Sequence, residues 1–317
     1  MLLDDLLRRR LILLSGKGGV GKSVVGAALA LAARDRGRRV LLLDVDAPLP
    51  ASRYLDAMPG GPKEAEALPG LFTANLKPQE VMDEYLRRHV RVELIVRRIL
   101  ESPVYHRFVA AAPGLKELMI LGKIVVLSEE RVGWPRRPRY DLVIADLPAT
   151  GHGLSLLKVP LAASAAIPVG PIGHQARWIL KRLRDPEWTA LLVVAVPEEM
   201  AVVEAMELQQ AASADVGVIP KGVVLNACHE RLFSRLEEAS VLRLSRQGAA
   251  GRLRGGVPLS SALLAARRQL RRARLTRFYE RRLRSALTAP IVRLPFLYEE
   301  RLGLEAVRRL AARLAEA

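Results

Sequence analysis

The sequence predicts an α/β protein with a doubly wound, mostly parallel sheet and helical insertions. Three observations point there: short apolar runs without alternation, helical patterns between them, and a glycine-rich turn joining the first run to the first helix. The runs are 11-LILLS-15, 40-VLLLD-44, 141-DLVIAD-146, 191-LLVVAV-196, 222-GVVLN-226 and 291-IVRLP-295. Unbroken stretches of Val, Ile and Leu mark strands buried on both faces, as in a parallel sheet sandwiched by helices. Helical patterns cover 22-KSVVGAALALAARDRG-37, 198-EEMAVVEAMELQQAA-212 and 299-EERLGLEAVRRLAARLAEA-317. The first closes on Gly37, where a C′ glycine belongs. Strand, helix and strand in repetition imply right-handed crossovers.

Two regions break the rhythm, at about 50–135 and 227–289. The first opens with Pro59, Gly60, Gly61 and Pro62 and continues into an amphipathic stretch over 78–101; the second is helical and very basic. Both read as helical insertions within a single domain covering 1–317, and no internal repeat is present. A chain of 317 residues, 50% of them hydrophobic, has ample material for a core and does not read as disordered. No uncharged apolar run reaches 18 residues, so no transmembrane helix is expected. MLLDDLLRRR at the start does not read as a secretory signal. The single cysteine, Cys228, excludes an intrachain disulfide and a zinc site made of cysteine pairs, so no zinc is expected. These features fit a cytoplasmic protein, with peripheral attachment to a membrane left open.

The net charge of +17 raises the question of a polyanionic partner. Arginine is scattered among Ala and Leu along the chain, which favours a compositional bias over a binding surface, and no nucleic-acid partner is expected. The densest run, 267-RRQLRRARLTRFYERRLR-284, has nine arginines and one glutamate. It reads either as a helix for an acidic surface or as a solvated face whose Leu270, Leu275, Phe278 and Leu283 pack on the sheet. Few aromatics interleave it, which favours the second reading.

The stretch 16-GKGGVGKS-23 satisfies G-x-x-x-x-G-K-[ST], with a strand before it and a helix after it. In that setting Gly16, Gly18, Gly19 and Gly21 allow backbone N–H groups to turn inward around phosphate oxygens at a helix N-terminus. Lys22 is expected at the β- and γ-phosphates and Ser23 on Mg²⁺, with Val20 and Val24 completing the nucleotide-contacting loop. Asp146 ends a strand expected beside the loop and suits a Walker B role, holding a water on the metal. Asp44 and Asp46 end another strand at the ligand crevice; either orients the attacking water or caps a loop, a loop role fitting Asp44 better. Within one chain this chemistry leaves the other lysine of the loop, Lys17, without a task.

The extra lysine, taken with the other motifs, resembles the deviant Walker A class, which includes ParA, MinD, the nitrogenase iron protein and ArsA. Within that class, 146-DLPATGHGLSLLKVP-160 resembles the switch II motif of the ArsA family and of the ATPases that target tail-anchored membrane proteins. The stretches 108–124, 183–208 and 291–303 are similar to ArsA-family segments in the same order, so the likeness spans nearly the whole chain. The resemblance implies an ATP-hydrolysing dimeric switch that couples Mg-ATP binding and hydrolysis to a partner or a membrane-protein client. It assigns Lys17 to a phosphate contact across a dimer interface, Asp46 to the hydrolytic water, and Thr150, Gly151 and His152 to switch II with Asp146. It assigns Asn226 to the adenine, and Pro295 and Phe296 to a loop packed on the base. The partner subunit would be an identical chain or a related paralogue.

The sequence also departs from the family. Switch I reads 46-DAP-48 where D-P-A is usual, and switch II has 147-LPA-149 where T-A-P is usual. The arsenite-binding cysteines and the dimer-clamping CxxC are absent. Between switch II and the following strand there is room for one helix, expected at 173–185. An alternative reading is a MinD- or ParA-like positioning ATPase with ATP-dependent binding to membrane or DNA. Of the five histidines, His152 is the one expected to function; His89, His106, His174 and His229 show no metal spacing. Cys228 reads as a small packing residue.

Overall fold

A computed structural model describes residues 2–57, 61, 63–90, 92–105, 107, 114–247, 251–253 and 255–316. In chain order the helices are α1 (Leu2–Leu7), α2 (Lys22–Asp35), α3 (Pro78–His89), α4 (Glu93–Leu100), α5 (Leu115–Glu129), α6 (Thr150–Ala166), α7 (Gly170–Arg184), α8 (Glu199–Ala211), α9 (Arg235–Arg246), α10 (Leu259–Ala286) and α11 (Leu304–Ala315). The strands are β1 (Leu11–Ser15), β2 (Val40–Val45), β3 (Ala65–Leu68), β4 (Leu71–Leu76), β5 (Arg131–Val132), β6 (Arg137–Pro138), β7 (Leu142–Asp146), β8 (Thr189–Ala195), β9 (Pro220–Cys228) and β10 (Ile291–Pro295).

Eight strands form one sheet in the order β10-β9-β8-β1-β7-β2-β4-β3, parallel throughout except for antiparallel β3 at the edge. All six apolar runs are strands, and β1 lies between β7 and β8. The absence of alternation has a simple cause. Successive residues of each strand enter different cores: Ile12, Leu14, Leu42 and Leu192 pack with α1, α2 and α11, whereas Leu11, Leu13, Leu41 and Leu191 pack with α5, α6 and α7. Both faces are dry, so both registers must be apolar.

Three expectations need correction. The region from 50 to 135 was expected to be helical, yet 71-LFTANL-76 pairs parallel with β2 and 65-AEAL-68 adds the edge strand. Buried polar Thr73 and Asn75 interrupt that apolar run and hide it from a search for unbroken Val, Ile and Leu. The stretch 78–101 holds two helices, with Val90 and Val92 extended between them. Switch II is followed by two helices before β8; α6 runs straight through Pro160, and α7 follows. A proline inside a helix removes one ladder bond, and packing of Leu156 and Leu157 into the core holds α6 across that defect. Of the stripe on α10, Leu270 and Leu283 are buried while Leu275 and Phe278 are exposed, so half of its apolar face is used within the fold.

Helix α2 approaches the sheet closely at Gly26, where a Cβ would lie 2.9 Å from Leu14 Cδ1 and 3.4 Å from Leu42 Cδ1. Gly26→Val is expected to lower stability by about 1–3 kcal/mol through overpacking. Adding Leu14→Ala should recover part of the loss, and a double-mutant cycle in urea would show it. Additive losses would mean that the two sites do not touch as described.

Candidate active site

The loop between β1 and α2 lies at the carboxyl ends of the central strands, the end where a doubly wound sheet opens its ligand crevice. Two glycines in it are required. A Cβ at Gly16, whose φ is 151°, would sit 2.2 Å from the Val194 carbonyl oxygen of β8, and one at Gly21, φ 85°, would meet Asn226 Nδ2 at 2.4 Å. Gly21 is the N-cap of α2, so the left-handed turn directs the helix N-terminus at the loop interior. Lys22 folds back over the loop and donates to the carbonyls of Gly16 (2.9 Å) and Lys17 (3.1 Å). Burial lowers its pKa, and Asp146 pulls it back up.

Ser23 Oγ donates to Asp146 Oδ2 at 2.6 Å, joining the first turn of α2 to the end of β7. The other oxygen, Oδ1, is buried and has no hydrogen-bond partner. Burial raises the Asp146 pKa, against the Ser23 hydrogen bond and the Lys22 charge. Asp44 is its register neighbour on β2. Its carboxylate accepts the Ala51 N–H at 3.1 and 3.0 Å, the loop role anticipated for it. Burial pushes Asp44 up to about 7, the Ala51 N–H opposes this, and the Asp146 charge adds to it. Two buried carboxylates therefore lie side by side, and the partly buried Lys22 ammonium offsets the charge of Asp146. A hydroxyl, a carboxylate with a vacant lone pair and this excess of negative charge form a donor set that fits a hydrated hard cation.

Asp46 lies one residue past β2, exposed and at φ 49°, with its N–H on the Leu76 carbonyl. Asn75, at the end of the unanticipated strand β4, braces this loop on both sides: Ala47 N–H donates to Asn75 Oδ1 (3.1 Å), and Asn75 Nδ2 donates to the Ala47 carbonyl (2.8 Å).

Lys17 is not idle within the chain. Its Nζ lies 3.0 Å from Glu204 Oε1 on α8, with both side chains partly exposed. Such a pair is worth at most about 1 kcal/mol, so it is easily exchanged for another anion. Glu204 sits in an apolar helical stretch with no sequence pattern to single it out.

Asn226, Pro295 and Phe296 are brought to one corner. Pairing of β9 with β10 shifts register between Arg293 and Pro295, and Ala227 takes φ 53°. This bulge accompanies Asn226 Nδ2 donating to the Val20 carbonyl of the phosphate loop at 2.9 Å. Phe296 stacks on His229 with centroids 4.6 Å apart, and its N–H donates to the Cys228 carbonyl. His229 and Pro295 also border a cavity of about 1060 Å³ beside β10. Cys228 is buried. Gly18, Gly19, Val20 and Val24 lie in or beside the loop as expected. The side chains of Thr150, Gly151 and His152 lie outside the described residues, as do those of His89 and His106; the backbone at 150–152 opens α6.

A profile described as "Anion-transporting ATPase" matches residues 9–169, just over half the chain. The chain belongs to the anion-transporting ATPase family. Its matched part holds the phosphate loop, Asp44, Asp46, Asp146 and the opening of α6. Among relatives of the family member described here, the ATPase BagA of Mycobacterium tuberculosis (strain ATCC 25618 / H37Rv) is 30% identical over 203 residues, 62% of this chain and 59% of the relative. The arsenical pump-driving ATPase of Escherichia coli is 31% identical over 235 residues, 71% of this chain and 36% of the relative. That of Acidiphilium multivorum is 27% identical over 229 residues, 67% of this chain and 38% of the relative. This chain thus spans about three fifths of the first relative and little more than a third of the other two.

The Asp44 shift has a sign. Unfolded, the carboxyl titrates near 3.8; folded, near about 7. In between, the folded state holds more protons, so this contribution is fully present below about pH 4 and is lost as pH rises through 7. Asp44→Asn keeps an acceptor for Ala51 and removes the titration. Its stability relative to the unsubstituted protein should rise with pH, reaching roughly 2 kcal/mol or more at pH 8. Parallel curves across pH 4–8 in chemical denaturation would contradict the shift.

Proposed function

We propose that the chain is a Mg-ATP-dependent ATPase that works as a dimeric switch and passes its nucleotide state to a partner or a membrane-protein client. The observation that carries this reading is the Ser23–Asp146 hydrogen bond beneath the phosphate loop, with Asp146 Oδ1 left for a further ligand. Backbone N–H groups of Gly16 to Ser23 would cradle the phosphates, and Lys22 would leave the carbonyls of Gly16 and Lys17 for phosphate oxygens. Ser23 would ligate the metal directly, and Asp146 would hold one of its waters. Bound there, Mg²⁺ neutralises charge that develops on the phosphoryl oxygens.

Asp46 would orient the attacking water; the Asn75 clamp on Ala47 fixes the loop that carries it. Asn226 would read the adenine while bracing the loop, with Pro295 and Phe296 on the base. Lys17 would exchange Glu204 for phosphates bound by a second subunit, an identical chain or a paralogue. The weakness of its present pair supports such an exchange. Thr150, Gly151 and His152 would relay the outcome into α6. Arsenite as cargo is disfavoured by the single cysteine.

Asp46→Asn should cut turnover at least about 100-fold while leaving nucleotide affinity in place. Turnover at the unsubstituted rate would overturn the role of Asp46. Mass measurement with a non-hydrolysable ATP analogue should show a dimer that Lys17→Ala dissolves, and hydrolysis by that variant should fall about 100-fold or more. A monomer under all conditions, alone and with a paralogue, would remove Lys17 from the mechanism.

A further inference from the structure

The end of the sheet opposite the phosphate loop carries a feature that nucleotide chemistry does not use. β1, β2, β7 and β8 all begin there. Just before β7 the chain turns outward in a small ribbon, with β5 paired antiparallel to β6. Every residue from Arg131 to Arg137 is exposed. At the tip Trp134 is 96% exposed and Val132 47%. Tryptophan is ordinarily well buried, and here the ring makes no aromatic or cation contact among the described residues.

The charge around the tip is equally one-sided. Arg131, Arg136 and Arg137 form no ion pair among the described residues. The acids nearest in sequence are engaged elsewhere: Glu129 with Arg182, Glu130 with Arg139, and Asp141 with the Arg39 N–H. Arg8 and Arg38 are exposed on the same end of the sheet, and Glu187 there is tied to Arg9. Arg10, set just behind, has its pKa lowered by burial first; Asp141 opposes this, and Arg131 and Arg38 add to it, so positive charge converges here.

We propose that this ribbon is an anchor for an anionic membrane surface, with Trp134, Val132 and Pro135 entering the interface and Arg131, Arg136 and Arg137 on the headgroups. Indole rings settle at the boundary between headgroups and acyl chains, and each flanking arginine adds attraction to anionic lipid. The shape supports lipid over nucleic acid. The tip is convex, and Trp134 stands with Val and Pro, whereas single-strand binders set several aromatics along a basic groove. A five-residue strand, roughly 17 Å, separates this end from the phosphate loop. Membrane contact there leaves the nucleotide crevice and Lys17 open. The inference stands independently of the ATPase reading.

The test uses phosphatidylcholine vesicles with and without phosphatidylserine. The protein should sediment with the anionic vesicles and little with the neutral ones. Trp134→Ala, and separately Arg136→Glu with Arg137→Glu, should each weaken the partition about tenfold, with nucleotide affinity unchanged. In a Trp178→Phe, Trp188→Phe variant, Trp134 emission should shift to the blue and be quenched by lipids brominated on the acyl chains. Absence of vesicle binding overturns the proposal. So does binding that Trp134→Ala leaves intact, or that leaves Trp134 unquenched, since another basic face such as 267–284 then makes the contact. Trp134-dependent binding to single-stranded DNA without vesicle binding would assign the ribbon to nucleic acid instead. If the double Phe variant does not fold, sedimentation of Trp134→Ala decides.

Discussion

The contact on which the site depends is the 2.6 Å hydrogen bond from Ser23 to Asp146. It ties the first turn of α2 to the end of β7, and so ties the phosphate loop to the sheet. Both partners arrive by backbone geometry. Gly21 turns left-handed to start the helix at Lys22, which sets Ser23 in its first turn, and parallel pairing of β1 with β7 puts Asp146 level with Leu14, one residue before the loop strand ends. The bond satisfies one carboxylate oxygen and leaves the other buried without a partner, a costly state for an isolated protein and a useful one for a metal site.

Around that bond the charges do not balance. Asp44 and Asp146 are both buried, and Lys22 is the nearby ammonium that favours Asp146 ionised. Burial first, with the Asp146 charge adding to it, leaves Asp44 holding its proton up to about 7. A divalent cation bound as proposed would reverse this imbalance, because its charge would favour both carboxylates ionised. The same burial that lifts Asp44 also lifts Asp146, so the charge of the crevice and its stability are linked.

The two lysines of the loop differ in the same terms. Lys22 is partly buried and held by backbone carbonyls, so its position is set by the loop itself. Lys17 rests at the rim on Glu204, in solvent that screens the pair. A side chain held so loosely is suited to changing partners, whereas one held by the loop is suited to staying. At the opposite end of the sheet, Trp134 and the arginines beside it are exposed.

Much of this was legible in sequence because it rests on local chemistry. The octapeptide 16-GKGGVGKS-23, the acid ending 141-DLVIAD-146 and the six unbroken apolar runs each carry their meaning within a few residues, since burial on both faces and a turn around phosphate both demand specific residue types in order. What required the tertiary structure were contacts between residues distant in sequence: Glu204 beneath Lys17, Asn75 clamping Ala47, and Asn226 bracing Val20 through a bulge. Strand β4 was hidden because polar residues of the crevice interrupt its apolar run, and α6 because core packing overrides Pro160. The exposure of Trp134 was equally invisible, since an aromatic residue reads as core until the fold shows that nothing covers it. The sequence by itself determined which residue types meet at the loop; the fold decided which side chains stand around it, because those distances are set by sheet order and helix packing rather than by neighbours in the chain.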